Sequence, residues 1–155
     1  MSGHPNIVDF IDFSYNKISS EAYEMLILME YCPGGHLVDY LNTRLEERLS
    51  ESEILRIFSD ICLGVAHLHS MTPKIAHRDI KIENVLLKAN TFKLCDFGSC
   101  TTISHAANSM SIPEIRILDI EIQKLTTVQY RAPEMCDLYQ NLQVSEKADI
   151  WVLFS

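Results

Sequence analysis

Residues His77 to Asn84 read His-Arg-Asp-Ile-Lys-Ile-Glu-Asn, and twelve positions beyond Asn84 stands Asp96-Phe97-Gly98. Two carboxylates, a side-chain amide and an ammonium group are residue types that the movement of a phosphoryl group uses. In that reaction a protein mainly positions groups and neutralises charge. It needs a carboxylate near the accepting hydroxyl, oxygen ligands for Mg²⁺ and a cation against the phosphate. Asp79 then accepts or orients the hydroxyl proton, Asn84 and Asp96 hold the metal, and Lys81 lies against the transferred group. Hard oxygen ligands suit Mg²⁺ and thiolates do not. Gly98 gives the backbone freedom for Asp96 to point inward or swing away.

These residues need elements to position them. Ile7–Tyr15 and Tyr23–Tyr31 are β-branched and aromatic runs separated by the polar segment 16–20, which predicts two antiparallel strands. Pro33-Gly34-Gly35 breaks that pattern, and Leu37, Val38, Leu41 and Leu45 then recur at helical spacing. Ser50 with Glu53 three residues on is a capping box. It opens a helix whose apolar stripe is Ile54, Ile57, Phe58, Ile61, Cys62, Val65 and Leu68, closed by Pro73. Val85–Lys88 and Phe92–Asp96 predict a small hairpin carrying Asn84 and Asp96 at its two edges. Residues 99–113 are polar and aperiodic and predict a mobile loop. Ile115, Leu118, Ile122 and Leu125 predict a helix over 114–125.

With Ala132-Pro133-Glu134 following in order, the three short motifs form the signature set of the protein kinases. Within that superfamily the chain resembles the Numb-associated kinases over essentially its whole length. The resemblance is carried by Ser2-Gly3-His4-Pro5-Asn6-Ile7-Val8, by Leu26-Ile27-Leu28-Met29-Glu30-Tyr31-Cys32, by Leu94-Cys95-Asp96-Phe97-Gly98-Ser99 and by Thr126-Thr127-Val128-Gln129-Tyr130-Arg131-Ala132-Pro133-Glu134. It implies a two-lobed α/β fold, present in part: residues 1–32 as the last upper-lobe strands and the hinge, and 33–155 as the lower lobe through the activation segment to the start of its central helix. It further implies ATP as cofactor with Mg²⁺. Met29 becomes the gatekeeper behind the adenine, and Glu30, Tyr31 and Cys32 the hinge whose backbone grips it. Asp79 and Lys81 are the catalytic pair, Asn84 and Asp96 the metal ligands, and Thr127 the substrate-docking threonine. His77, Arg78, Phe97, Gly98 and Glu134 take structural and regulatory roles. Lysine two residues after the catalytic aspartate marks serine/threonine kinases, and the family favours threonines on clathrin adaptor subunits, which points to endocytosis or vesicle traffic.

Composition narrows the partners. The 155 residues make one domain of ordinary composition, 47% hydrophobic and 22% charged. A formal net charge of −8 disfavours nucleic acid and anionic membrane surfaces. The apolar run Met25–Met29 is far short of a membrane span, and the N-terminus carries no signal-peptide pattern, so an intracellular protein is expected, which the family resemblance narrows to a cytoplasmic one. Five cysteines without a C-x-x-C pair read as reduced thiols. His67 and His69 read as packing or capping residues, His36 and His105 as solvated, and Cys95 as a buried small side chain. Thr101, Thr102 and Thr126 are candidates for phosphorylation beside Arg78.

Other family parts have no counterpart here: the glycine-rich loop, the strand lysine with its glutamate partner, and the arginine that pairs with Glu134. The ending Val152-Leu153-Phe154-Ser155 departs from the family. Every valine codon begins with GT, the usual intron donor, so translation into an unspliced intron after Trp151 is one expectation, and Met1 as an internal methionine another. The alternative function is then an inactive short form acting as a binding module.

Overall fold

The computed structural model describes residues 3–102, 105–106 (backbone only), 109–140 and 142–154. Met1, Ser2, residues 103–104 and 107–108 of the segment 99–113, the side chain of His105, and Ser155, all used above, lie outside the described residues.

The architecture mixes α and β as expected. Strand β1 (Phe10–Lys17) pairs antiparallel with β2 (Tyr23–Met29). Helices α1 (Leu37–Asn42) and α2 (Glu51–Ser70) follow, then the hairpin of β3 (Val85–Lys88) and β4 (Thr91–Leu94). A two-residue strand β5 (His105–Ala106) precedes α3 (Ile112–Leu125) and α4 (Pro133–Cys136). The matching strand β6 (Gln143–Val144) pairs with β5 and leads into α5 (Lys147–Leu153).

The capping box forms as read. The Ser50 hydroxyl accepts from the Glu53 N–H at 3.3 Å and the Glu53 carboxylate accepts from the Ser50 N–H at 3.0 Å, which satisfies two otherwise orphaned donors at the start of α2. The buried side of α2 then packs on the β3–β4 hairpin. Ile57, Val65 and Leu68 join Ile7, Leu37, Ile80, Val85, Phe92 and Leu94 in one core. Gly64 permits this contact: a Cβ there would lie 2.8 Å from the Asn6 carbonyl oxygen and 2.9 Å from a Leu94 methyl. A second core gathers Ile115, Leu118 and Ile122 of α3 with Ala132, Met135, Leu138, Val144 and Ala148.

Several boundaries differ from expectation. The first strand begins at Phe10, since Ile7 and Val8 are drawn away to β4: the Val8 N–H donates to the Leu94 carbonyl and the Leu94 N–H to the Asn6 carbonyl, both at 2.9 Å. Its far end continues through Asn16 and Lys17, which pair with Glu24 and Tyr23. The segment read as a mobile loop is partly built. Thr101 pairs with Ala76, β5 pairs with β6, and α3 begins at Ile112, where the Glu114 carboxylate accepts from the Ser111 N–H at 2.7 Å. Ile54 and Phe58 of the predicted stripe remain exposed, because no described element covers that side of α2.

Candidate active site

The site is assembled between two tightly held segments. Residues 76–84 run from the end of α2 to the start of β3, and the chain leaves β4 through Cys95, whose N–H donates to the Asn84 carbonyl at 3.0 Å. That bond places Asn84 and Asp96 side by side at one end of a single hairpin. Asp96 has φ 58°, a left-handed conformation that non-glycine residues adopt at a cost of about 1–3 kcal/mol, and its carboxylate accepts from the Gly98 N–H at 3.3 Å.

Asp79 is the hub. One carboxylate oxygen, Oδ1, accepts from the Thr127 hydroxyl at 2.6 Å and the Thr127 N–H at 2.9 Å. The other, Oδ2, lies 2.8 Å from Lys81 Nζ and accepts from Asn84 Nδ2 at 3.0 Å. Lys81 Nζ also donates to Thr127 Oγ1 at 2.8 Å, closing a triangle of aspartate, lysine and threonine. Burial alone would raise the Asp79 carboxyl, but the bonds from Lys81 and Thr127 hold it below the usual carboxylate range. The bond to Asp79 in turn raises the Lys81 ammonium above its ordinary value. Asp79, Lys81, Asp96, Gly98 and Thr127 line one hollow together with Lys124.

Beneath them, Asp149 of α5 is fully buried and grips the segment 76–84 by its backbone. Its two oxygens accept from the His77 and Arg78 N–H groups at 2.8 Å each, and His69 Nε2 lies 2.8 Å from Oδ2. Arg78 adopts φ 67° within this grip. Its guanidinium donates to the Ser99 carbonyl and to Glu121 of α3, both at 2.6 Å. The buried His77 ring reaches the Cys95 carbonyl at 3.1 Å and lies 5.4 Å from the Phe97 ring. Helix α3 therefore meets Arg78 through Glu121, and Thr127, just beyond its end, meets Asp79.

The structure thus brings together Asp79, Lys81, Asn84, Asp96 and Thr127, with His77, Arg78, Phe97 and Gly98 around them. The remaining candidates sit elsewhere. Met29 is half-exposed at the end of β2, Tyr31 is exposed and Cys32 is buried. The Glu30 side chain turns toward Lys88 and Lys93. Glu134 lines a separate hollow with Lys147, Ile150 and Trp151, and has no ion pair among the described residues. Burial pushes the Cys95 thiol up to about 11, which agrees with an inert packing residue. The Thr126 hydroxyl is engaged, donating to the Ile122 carbonyl and accepting from Arg131 Nε, both at 2.7 Å. His67 stacks on His4 at 4.4 Å, and His36 is exposed yet bonds to the Glu83 carbonyl.

Sequence reasoning did not assign Ser99, Glu121, Lys124 or the gripping role of Asp149. The spacing Ser111-x-x-Glu114 is a capping signature that marks the true start of α3. No comparable local signal marks Asp149, whose partners lie 71 and 72 residues away.

The family model described as "Protein kinase domain" matches residues 1–153. Similar proteins include the Serine/threonine-protein kinase ppk30 of Schizosaccharomyces pombe, 48% identical over 157 residues covering 99% of this chain and 16% of that protein. Two proteins of Saccharomyces cerevisiae are also similar. Actin-regulating kinase 1 is 48% identical over 95% of this chain and 23% of its own length, and Actin-regulating kinase PRK1 is 42% identical over 99% and 19%. The chain spans less than a quarter of the length of these curated relatives.

Proposed function

We propose, because this chain belongs to the protein kinase domain family, that the protein carrying it transfers the terminal phosphate of ATP to serine or threonine hydroxyls of proteins. The observation that carries this reading is the Asp79–Lys81–Thr127 triangle set beside Asn84 and Asp96. Residues 1–32 are assigned to upper-lobe strands and hinge, and 33–155 to the lower lobe through the activation segment.

The residues fit a magnesium nucleotide. Asn84 spends its amide nitrogen on Asp79, which leaves its carbonyl oxygen, and the Asp96 carboxylate is exposed beside it. Among the described residues no group of three or more His, Cys, Asp or Glu is placed to hold a metal. Mg²⁺ does not require one, since it commonly takes one or two protein oxygens together with phosphate oxygens and water. When bound, Mg²⁺ with ATP supplies the phosphoryl group and screens its charge. Lys81 supplies a further cation beside the accepting hydroxyl. Asp79, held below the ordinary carboxylate range, is a weak proton acceptor at neutral pH, so its part is to orient that hydroxyl and receive the proton late. Thr127 fixes the Asp79 carboxylate and, as the entry to residues 128–134, places the peptide-facing segment against it.

The finer reading is a Numb-associated kinase acting in the cytoplasm on proteins of clathrin-mediated endocytosis, clathrin adaptor subunits among them. It is supported by the motif resemblance and by two relatives being named actin-regulating kinases. No helix among the described residues is long and apolar enough to cross a membrane.

The test is phosphate transfer from radiolabelled ATP by the full-length protein to adaptor subunits. Phosphoserine or phosphothreonine is the expected product, and Asp79→Asn is expected to slow transfer by about a hundredfold to ten-thousandfold. Phosphotyrosine as the product, or an unaffected Asp79→Asn rate, overturns it.

A further inference from the structure

On the side of the β3–β4 hairpin away from α2, charge is buried where apolar contact would be ordinary. In the antiparallel register Leu86 faces Lys93, so Leu86, Lys88 and Lys93 share one side, while Val85, Phe92 and Leu94 point into the core. Glu30, the residue following β2, lies over that lysine-bearing side. Its Oε1 is 2.7 Å from Lys88 Nζ and its Oε2 is 2.8 Å from Lys93 Nζ. Oε2 also accepts from the Asp9 N–H at 3.1 Å, while the Glu30 N–H donates to the Asp9 carbonyl at 2.9 Å. Lys93 Nζ donates in addition to the Ile7 carbonyl at 3.1 Å. The Glu30 and Lys93 side chains are only 10% and 9% exposed.

One carboxylate and one buried ammonium therefore fasten both connections to the upper hairpin, the incoming chain at 7–9 and the outgoing chain at 30–32, to β3 and β4. A buried ion pair adds little net stability over a well-packed apolar pair, because desolvation offsets the attraction. What it adds is direction, since the charged groups fit each other in one register only. The same hairpin holds Asn84 before β3 and Asp96 beyond β4.

We propose that Glu30 is a positioning residue for the nucleotide: with Lys93 it fixes the 30–32 backbone onto the β3–β4 hairpin, so that one rigid unit registers both the base and the phosphates of ATP. This rests on the kinase reading above, in which the 30–32 backbone meets the adenine. The Glu30 side chain acts from behind, through the backbone, without touching the nucleotide.

The experiment is steady-state kinetics of the full-length protein, with ATP varied at saturating protein substrate. Lys93→Met is expected to raise KM for ATP about tenfold while kcat stays within about twofold, the pattern of lost ground-state binding. Lys93→Arg, which keeps the cation, is expected to restore KM. The double variant Glu30→Gln with Lys93→Met is expected to be no worse than either single one, because both remove one coupled interaction. A fall in kcat at unchanged KM, or additive effects in the double variant, overturns the proposal. Should Lys93→Met fail to fold, Glu30→Gln and Lys93→Arg are judged by the same KM criterion. Should the wild type transfer no phosphate, the function above fails, and the dissociation constant of a fluorescent ATP analogue across the same variants still decides the role of Glu30.

Discussion

The β1–β2 and β3–β4 hairpins are written in similar residues and end in opposite surroundings. Every strand residue of Phe10–Lys17 and Tyr23–Met29 is exposed, whereas Val85, Phe92 and Leu94 are essentially sealed from solvent. In β2 the apolar residues fall on both faces, Met25 and Ile27 on one and Leu26 and Leu28 on the other, the mark of a strand meant to be covered twice. β1 alternates instead: Phe13 and Tyr15 share the face of Ile27 and Met25, while Asp12 and Ser14 oppose Leu28 and Leu26. The second hairpin has what the first lacks, a helix laid against one face and the Glu30 ion pairs over the other. Strand formation is thus a property of the local pattern. Burial belongs to the neighbours.

That contrast can be broken most severely at its two phenylalanines. Phe92 is fully buried, and its removal leaves a cavity between α2 and β4. Phe92→Ala is therefore expected to cost about 3–5 kcal/mol. Phe13 is 60% exposed among the described residues, so in these surroundings Phe13→Ala costs less than about 0.5 kcal/mol. Urea unfolding of the soluble kinase domain checks both. A large loss at Phe13 would show that this hairpin is covered in the whole protein, as the two-sided apolar pattern of β2 suggests. The 155 residues expressed by themselves are expected to aggregate through this patch, and lysines at Phe13 and Ile27 to lessen it.

A smaller effect is expected at the contact that buries the second hairpin. Gly64→Ala sets a methyl against the Asn6 carbonyl and Leu94, and backbone at 2.8 Å cannot yield as a flexible side chain does. A loss of about 1–3 kcal/mol is expected by the same unfolding measurement, as for other overpacked cores. A neutral outcome would mean that α2 slides on β4 more freely than the packing suggests.

Much of the site was legible because it is local. Asp79, Lys81 and Asn84 lie within six residues, so residue type and a short motif were enough to mark them as candidates. Both long helices announced themselves by period, and α2 by its capping box as well. What escaped was carried by distance in the chain. Nothing local marks Asp149, and only the fold brings it under His77 and Arg78. Glu121 stands off the apolar stripe of α3, where sequence pattern gives it no role, yet its carboxylate meets a buried guanidinium. Lys88 and Lys93 lie in a short hairpin whose sequence gives them no partner. Nothing near them in sequence says that Glu30, 58 and 63 residues away, will bury against them. The strand ends shifted for the same reason, since Ile7 and Val8 carry strand-like side chains yet are claimed by β4.

The smallest expected effect tests how firmly the two hairpins are joined. Burial alone would raise the Glu30 carboxyl, but the Lys88 and Lys93 ammonium groups and the Asp9 N–H bring it down to about 2. A carboxylate whose folded value lies below its unfolded value near 4.5 contributes stability that is fully present above that unfolded value and is lost as pH falls through the folded one. The Glu30 contribution should therefore hold at neutral pH, begin to fade below about 4.5 and be gone once pH has passed below about 2. Glu30→Gln removes the titration, so the difference in melting temperature between wild type and Glu30→Gln should shrink steadily across that window while other acidic groups cancel in the comparison. Amide hydrogen exchange localises the change: at pH 3 relative to pH 6, after correction for intrinsic rates, Asp9 should lose protection while Leu94, whose N–H donates to the Asn6 carbonyl, keeps its own. If Asp9 and Leu94 lose protection together, the hairpins open as one unit, and the ion pairs are part of a single core instead of a joint between two.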